Sequence, residues 1–243
     1  VEQGVLEFDA TLAELFPEVK VHVDLQGVTV RQLLRHEGGL YSEIHVQAPE
    51  LWETLWEAGA EDIMETRRVF AETVLTTEPA HEPGGYHYSN TGYILVGAVI
   101  EALLDSSWEE VITAELFEPF QMTGCGFGAA GDPDGEDQPW GHRQKNGQTQ
   151  TFPPGPEGDN PPALGPAGTV HCPLASWANF MIGHLGGGPE GYLEGATWEA
   201  LHAPGSASQY ALGWLVTGEG ELQHFGSNTK NVAGSWLKQG DAM

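Results

Sequence analysis

The chain has 243 residues, 40% of them hydrophobic, which is enough for one large domain or two lobes around a sizeable core. Lys and Arg total 9 against 35 Asp and Glu, so the formal charge is −26; the clustered cations that nucleic-acid phosphates need are lacking, and an anionic membrane surface is disfavoured for the same reason. No run of about 18 apolar residues reads as a membrane span, and Cys125 and Cys172 fit no metal-ligand spacing and read as two free thiols.

The first predicted element is a short capped helix in "DATLAELFPE", residues 9–18, stopping near Pro17. In "TVRQLLRHEGGL", 29–40, Thr29 can cap, Val30, Leu33 and Leu34 form an apolar face, and Gly38-Gly39 are expected to end the helix. Residues 49–76 carry helical spacing through Leu51, Leu55, Ile63, Val69, Phe70 and Val74. The run after Asn90 is apolar nearly all round, which predicts a helix inside the protein. Residues 107–120 predict another helix, capped by Ser106 or Ser107, with acids in its first turn.

Residues 128–164 are so rich in Gly, Pro, Asp and Gln that they read as one long irregular excursion, uncommon unless it serves a site or a lid. Beyond it, 173–185 is helical, with Pro173 suited to the first turn. Strands are expected at 209–217, 222–227 and 231–238, with "QGD" at 239–241 as a turn into a returning strand of which only Ala242 and Met243 are present. Helices first and strands last give an α+β arrangement, a helical lobe over about 1–203 and part of an antiparallel sheet over about 208–243. With half a hairpin at one end and no initiator Met at the other, the expectation is one incomplete domain cut from something longer.

The stretch "YHYSNTGYILVGAVIEALL", 86–104, sets three hydrogen-bonding side chains before the buried helix and supports two readings. In one, Asn90 or Thr91 is an ordinary cap, Ser89 a turn residue and Tyr88 a packed ring with its hydroxyl at the surface. In the other, a phenol and a carboxamide two apart in extended chain face the same side, as a proton handler and a holder of substrate or lysine. From the residues alone both stay open. His36, closing a helix beside glycines, reads as a structural hydrogen-bonder, and no His-Glu-x-x-His or comparable set is present, so no metal is expected.

The ordered segments "VEQGVLEFD", "TVRQLLRHEGGL", "EPGGYHYSNTGYILVGAVIE", "LFEPFQMTGCGFG", "QPWGHR", "PAGTVHCPLASWANFM" and "HFGSN" resemble the serine β-lactamase and DD-peptidase superfamily. They are most similar to its class C type branch, which also holds esterases and D-amino-acid amidases. That family works through three boxes, of which Tyr88-Ser89-Asn90 fits the second, Tyr-x-Asn, and His224-Phe225-Gly226 the third, Lys- or His-x-Gly. The first box, Ser-x-x-Lys opening an apolar helix, is absent: Ser227-Asn228-Thr229-Lys230 has the spacing but lies at a turn.

The resemblance implies a β-lactamase/transpeptidase-like fold and an acyl-serine mechanism without cofactor or metal. It assigns Tyr88 as general base or proton shuttle, Asn90 as holder of the lysine and the substrate amide, and His224 as the cleft wall on the edge strand. Gly226 would let substrate approach the backbone, and the N–H of Ser227 would form half of an oxyanion hole. Trp140 on the excursion and Asn228 after the third box are the substrate-binding candidates. The nucleophilic Ser and its Lys are expected upstream of Val1, in an exported parent that acts on a small ester, amide or peptide, with no nucleic-acid partner. His in place of Lys in the third box, with the −26 charge, favours an esterase or amidase. A β-lactamase, a D-alanyl carboxypeptidase and a non-catalytic ligand-binding relative are the alternatives.

Overall fold

Three short helices open through one device. Thr11 before α1 (Leu12–Leu15), Thr29 before α2 (Val30–Leu34) and Ser107 before α7 (Trp108–Ile112) each accept from the backbone N–H three residues on. The side chains of Glu14, Gln32 and Glu110 reach back to the capping residue, so each capping box satisfies two otherwise orphan donors. The computed structural model describes residues 1–56, 63–135, 138–218 and 220–238, so the expected turn at 239–241 and the returning strand lie outside the described residues.

Between those caps lie α3 (Ile44–Gln47), α4 (Pro49–Thr54), α5 (Ile63–Thr76) and α6 (Asn90–Leu104), followed by α7 (Trp108–Ile112). The spacing over 49–76 therefore belongs to two helices, and residues 57–62 between them lie outside the described set. The predicted helix over 107–120 likewise continues only as the wider turn Thr113–Phe117. Helix α2 stops at Leu34, short of the predicted Gly38-Gly39, because His36 already turns left-handed with φ 59°. Gly39 is needed for another reason: with φ 73°, its position lies so close to the His81 carbonyl that a Cβ would collide.

Helix α6 is the axle of this part. Ile94, Leu95, Val96, Ala98 and Val99 are all buried, in keeping with a helix apolar on every side. It packs against α2 and α5 and against the turn α8 (Gly165–Gly168), where Gly97 lets Pro166 sit against the helix backbone. Leu12, Leu25, Leu33, Leu55, Phe70, Leu75 and Leu164 complete one core around it. Arg67 of α5, fully buried, bridges Glu101 of α6 and Glu109 of α7 and donates through Nε to the Ala163 carbonyl at 3.1 Å. One guanidinium thus ties three elements and a loop, and both carboxylates depend on it.

The excursion is less irregular than its composition implied. Strands β2 (Gly141–Lys145) and β3 (Gln148–Phe152) form an antiparallel hairpin across Asn146-Gly147, both with positive φ. At its roots, β1 (Gly126–Phe127) pairs with β4 (Val170–His171) in the register Gly126↔His171. That register sets Cys125 opposite Cys172, and the two form a disulfide with Cα atoms 4.1 Å apart. The expectation of two free thiols is corrected by this pairing.

Helix α9 (Leu174–Ile182) follows Pro173, which stands just before it and not in its first turn, and α10 (Gly195–His202) was not foreseen. The described chain ends in an antiparallel sheet, β5 (Leu215–Thr217), β6 (Glu221–Ser227) and β7 (Val232–Leu237), in the order β5-β6-β7. Only the last three residues of the strand expected at 209–217 are extended in the ladder. Residues before them bend through Gly213, at φ 99°, with the Ala211 N–H donating to the Trp214 carbonyl at 2.7 Å. One face of the sheet packs Leu222 and Leu237 on Trp214, Ala211, Phe180 and Met181. The other presents Phe225, Val232 and Trp236, all largely exposed. The arrangement is α+β, helices followed by antiparallel strands.

Candidate active site

Strand β5 ends early. Leu215 pairs with Gln223, so residues 224–227 of β6 extend past β5 and are paired only by β7, through His224↔Ser235 to Ser227↔Val232. His224-Phe225-Gly226 therefore lies on a stretch of strand with one open edge. The Gly213 carbonyl reaches into this gap and accepts from His224 Nδ1 at 2.6 Å. A carbonyl only accepts, so Nδ1 carries the proton and a neutral His224 keeps Nε2 as an acceptor. A Cβ at Gly226 would meet no heavy atom within 4 Å.

Helix α6 meets the chain that leads to this edge: a Cβ at Gly213 would lie 3.8 Å from the Tyr93 hydroxyl. Ser89 is the N-cap by backbone conformation, yet its hydroxyl donates to the Tyr41 carbonyl at 2.6 Å and caps nothing. Asn90 is the first helical residue, and neither it nor Thr91 is the cap that one sequence reading expected. Tyr88, just before, is 44% exposed. Its ring lies 4.2 Å from that of His36, which also contacts Tyr210 at 4.6 Å and Tyr93 at 5.3 Å. The Tyr93 hydroxyl donates to the Leu34 carbonyl at 2.9 Å. His36 is thus the hub where α2, α6 and the approach to β5 meet.

Burial dominates the electrostatics here. It pushes His36 down to about 4, against the pull of the Ser89 carbonyl on a protonated ring and with help from the nearby His224. Burial, then the neighbouring Tyr86 phenol, raises Tyr88 above its ordinary value, and burial holds Tyr93 and Tyr210 higher still. Tyr88 accordingly keeps its proton at neutrality, and among the described residues no cation acts to lower it.

The remaining sequence-predicted residues cluster at and beyond the end of β6. The Ser227 hydroxyl accepts from the Thr229 N–H at 3.0 Å. Asn228 is fully employed: Oδ1 accepts from Lys230 N at 3.0 Å and Asn231 N at 2.6 Å, while Nδ2 donates to Asp159 Oδ1 at 2.7 Å. The side chain expected to bind substrate holds this turn. Lys230 Nζ donates to the Asp159 carbonyl at 3.1 Å, and the His142 N–H donates to the Lys230 carbonyl at 3.0 Å. The β2–β3 hairpin is thereby fastened beside the third box, with Trp140, 37% exposed, at its entrance. The sequence carried no local sign of Asp159 or of the tyrosine hub.

The family model described as Beta-lactamase matches residues 1–240, and the chain belongs to that family. Among curated protein sequences none matches it significantly. It is similar in structure to a D-stereospecific amidohydrolase from Streptomyces sp., at 20% identity and a TM-score of 0.65, over 91% of this chain and 65% of that one. It is also similar to the octameric penicillin-binding protein homologue from Pyrococcus abyssi, at 22% identity and a TM-score of 0.70, over 96% and 54%. A third likeness is to EstCE1, a hydrolase with promiscuous acyltransferase activity, at 18% identity and a TM-score of 0.68, over 97% and 74%. The chain spans about half to two thirds of the first two structures, and at these identities the likeness establishes the β-lactamase/transpeptidase-like fold. Its structural relatives thus include an amidohydrolase and a hydrolase with acyltransferase activity. Among the described residues no helix is long and apolar enough to cross a membrane.

Proposed function

We propose that residues 1–243 form one incomplete domain of a serine hydrolase that cleaves a small ester or amide through a covalent acyl-serine, the Ser-x-x-Lys box lying outside these residues. The observation that carries this reading is the packing of Tyr88 on His36, whose ring also accepts from the Ser89 N–H and lies near enough to His224 of the open-edged strand to feel its charge.

In this reading the serine Oγ attacks the carbonyl carbon. The resulting tetrahedral oxyanion is held by the Ser227 N–H, and the leaving group departs with a proton delivered through Tyr88. Burial keeps the Tyr88 phenol protonated at neutrality, so in this reading both taking the serine proton and passing one to the leaving group require the lysine beside it. Asn90 holds that lysine and the substrate amide, and His224 lines the cleft. Open space over Gly226 suits close approach of substrate. Trp140 stays a substrate-contacting residue at the cleft border, whereas Asn228 acts only through the turn it holds. The disulfide fits an exported enzyme, since such bonds persist in oxidising compartments.

The test is acylation of the full-length parent by an activated ester and by a fluorescent penicillin. Tyr88→Phe should slow acylation by about 10²–10⁴-fold, the ester should react faster than the penicillin, and the 243-residue chain alone should not be labelled. Unchanged acylation of the Phe variant, or stoichiometric labelling of the isolated chain, would overturn the reading.

A further inference from the structure

His36 does more than fill the core, and what it does bears on the proposed role of Tyr88, on which this inference rests. The residue leaves α2 in a left-handed conformation, φ 59°, that a non-glycine residue adopts only where its surroundings hold it there. Its main chain and its ring then meet the same segment. The His87 N–H donates to the His36 carbonyl at 2.8 Å, and the Ser89 N–H donates to His36 Nδ1 at 3.0 Å. Between these two anchored neighbours stands Tyr88, with the His36 ring 4.2 Å from its own and inclined by 39°.

We propose that His36 is the positioning residue of Tyr88, gripping residue 87 with its carbonyl and residue 89 with its ring while the ring face directs the phenol.

The tautomer follows from the contacts. Ser89 is buried, and its amide hydrogen needs an acceptor, which assigns Nδ1 as unprotonated and puts the proton on Nε2, although Nε2 is itself buried without a hydrogen-bond partner among the described residues. Protonating Nδ1 would set two N–H groups against each other and turn the ring nitrogen toward the Ser89 carbonyl, 3.2 Å away. The hold on the Ser89 N–H therefore exists only in the neutral ring. The titratable groups facing His36 are Tyr86 and Tyr88 before α6, Tyr93 on α6, Tyr210 ahead of β5 and His224 on β6. The tyrosines keep their protons at neutrality and below, which leaves His224 as the group whose charge opposes protonation of His36.

The experiment is NMR on the isotope-labelled 243-residue chain and on His36→Leu and His36→Asn, and it requires no turnover. In the wild type, a scalar coupling across the hydrogen bond should join Ser89 N–H to His36 Nδ1. After correction for intrinsic exchange, Ser89 protection should fall as the pH drops toward 4. His36→Leu should exchange Ser89 roughly tenfold faster and shift the Tyr88 ring resonances, while Leu222 and Leu237 amides on the far sheet remain protected. His36→Asn, whose carbonyl can accept, should restore protection at neutral pH and abolish the acid step. Absence of the coupling, Leu-variant protection equal to wild type, or an acid step that survives in the Asn variant would each overturn the proposal. Should the Leu variant unfold, the coupling and the Asn variant still decide. Because acylation of the Tyr88→Phe parent is measured separately, the acyl-serine reading can fail while the grip of His36 stands, and the reverse.

Discussion

The helix-rich part and the three-stranded sheet differ in how completely each covers itself. Around α6 the apolar side chains close on one another, and the buried Arg67 meets two carboxylates. The sheet packs a small cluster on one face and leaves Phe225, Val232 and Trp236 in solvent on the other. The first part holds its own core, whereas the second depends on what is packed against it. The candidate site lies on the seam, where a rigid helix end meets a strand whose edge is open.

This contrast can be broken most severely from within the helices. Arg67→Ala would strand Glu101 and Glu109, one carboxylate buried and the other mostly so, and should cost about 3–5 kcal/mol in urea denaturation followed by helical circular dichroism. A loss under about 1 kcal/mol would mean that the network contributes no more than surface ion pairs do.

Acid should sharpen the contrast from the other side. His184, after α9, is hydrogen-bonded through Nδ1 to His202 Nε2 at 2.8 Å and packs against Trp214; burial, then His202, holds it down to about 4. A depressed histidine contributes stability that is complete above its unfolded value of about 6.5 and is lost as the pH falls through its folded value. Stability should thus decline between pH 6.5 and 4 by on the order of 2–3 kcal/mol from this residue, and a fluorotryptophan signal at position 214 should change before helicity does. Loss of helicity first would place the weaker part among the helices.

The smallest effect concerns local order. Thr29→Ala removes one capping box and should cost about 1 kcal/mol in the same denaturation experiment, without altering the sheet.

Much of the helical part was legible because its signals are local. Thr29 with Gln32 and Ser107 with Glu110 announce helix starts within four residues, and the apolar run after Asn90 announces a buried helix. The hairpin was legible too, in Asn146-Gly147, but the surrounding Gly and Pro masked it. Long-range partners were not. Cys125 meets Cys172 only through the register of two-residue strands, and Asn228 is claimed by Asp159, 69 residues earlier. His36 could be read as a hydrogen-bonder, yet nothing in its neighbours names Ser89, 53 residues on, as its partner. The motif boxes mark the elements that form the site, whereas their alignment depends on contacts with no sequence spacing of their own.

The excursion between the two cysteines behaves mechanically as a beam with fixed supports. One support is the disulfide at its base, and the other is the fastening of Asp159 and His142 to the 228–231 turn. A beam held in this way yields only along its free span, here the tip of the hairpin from Lys145 to Gln148. Loop length and composition can therefore drift at that tip without disturbing the wall of the cleft, while a change of one residue at either support would be felt at the strand edge.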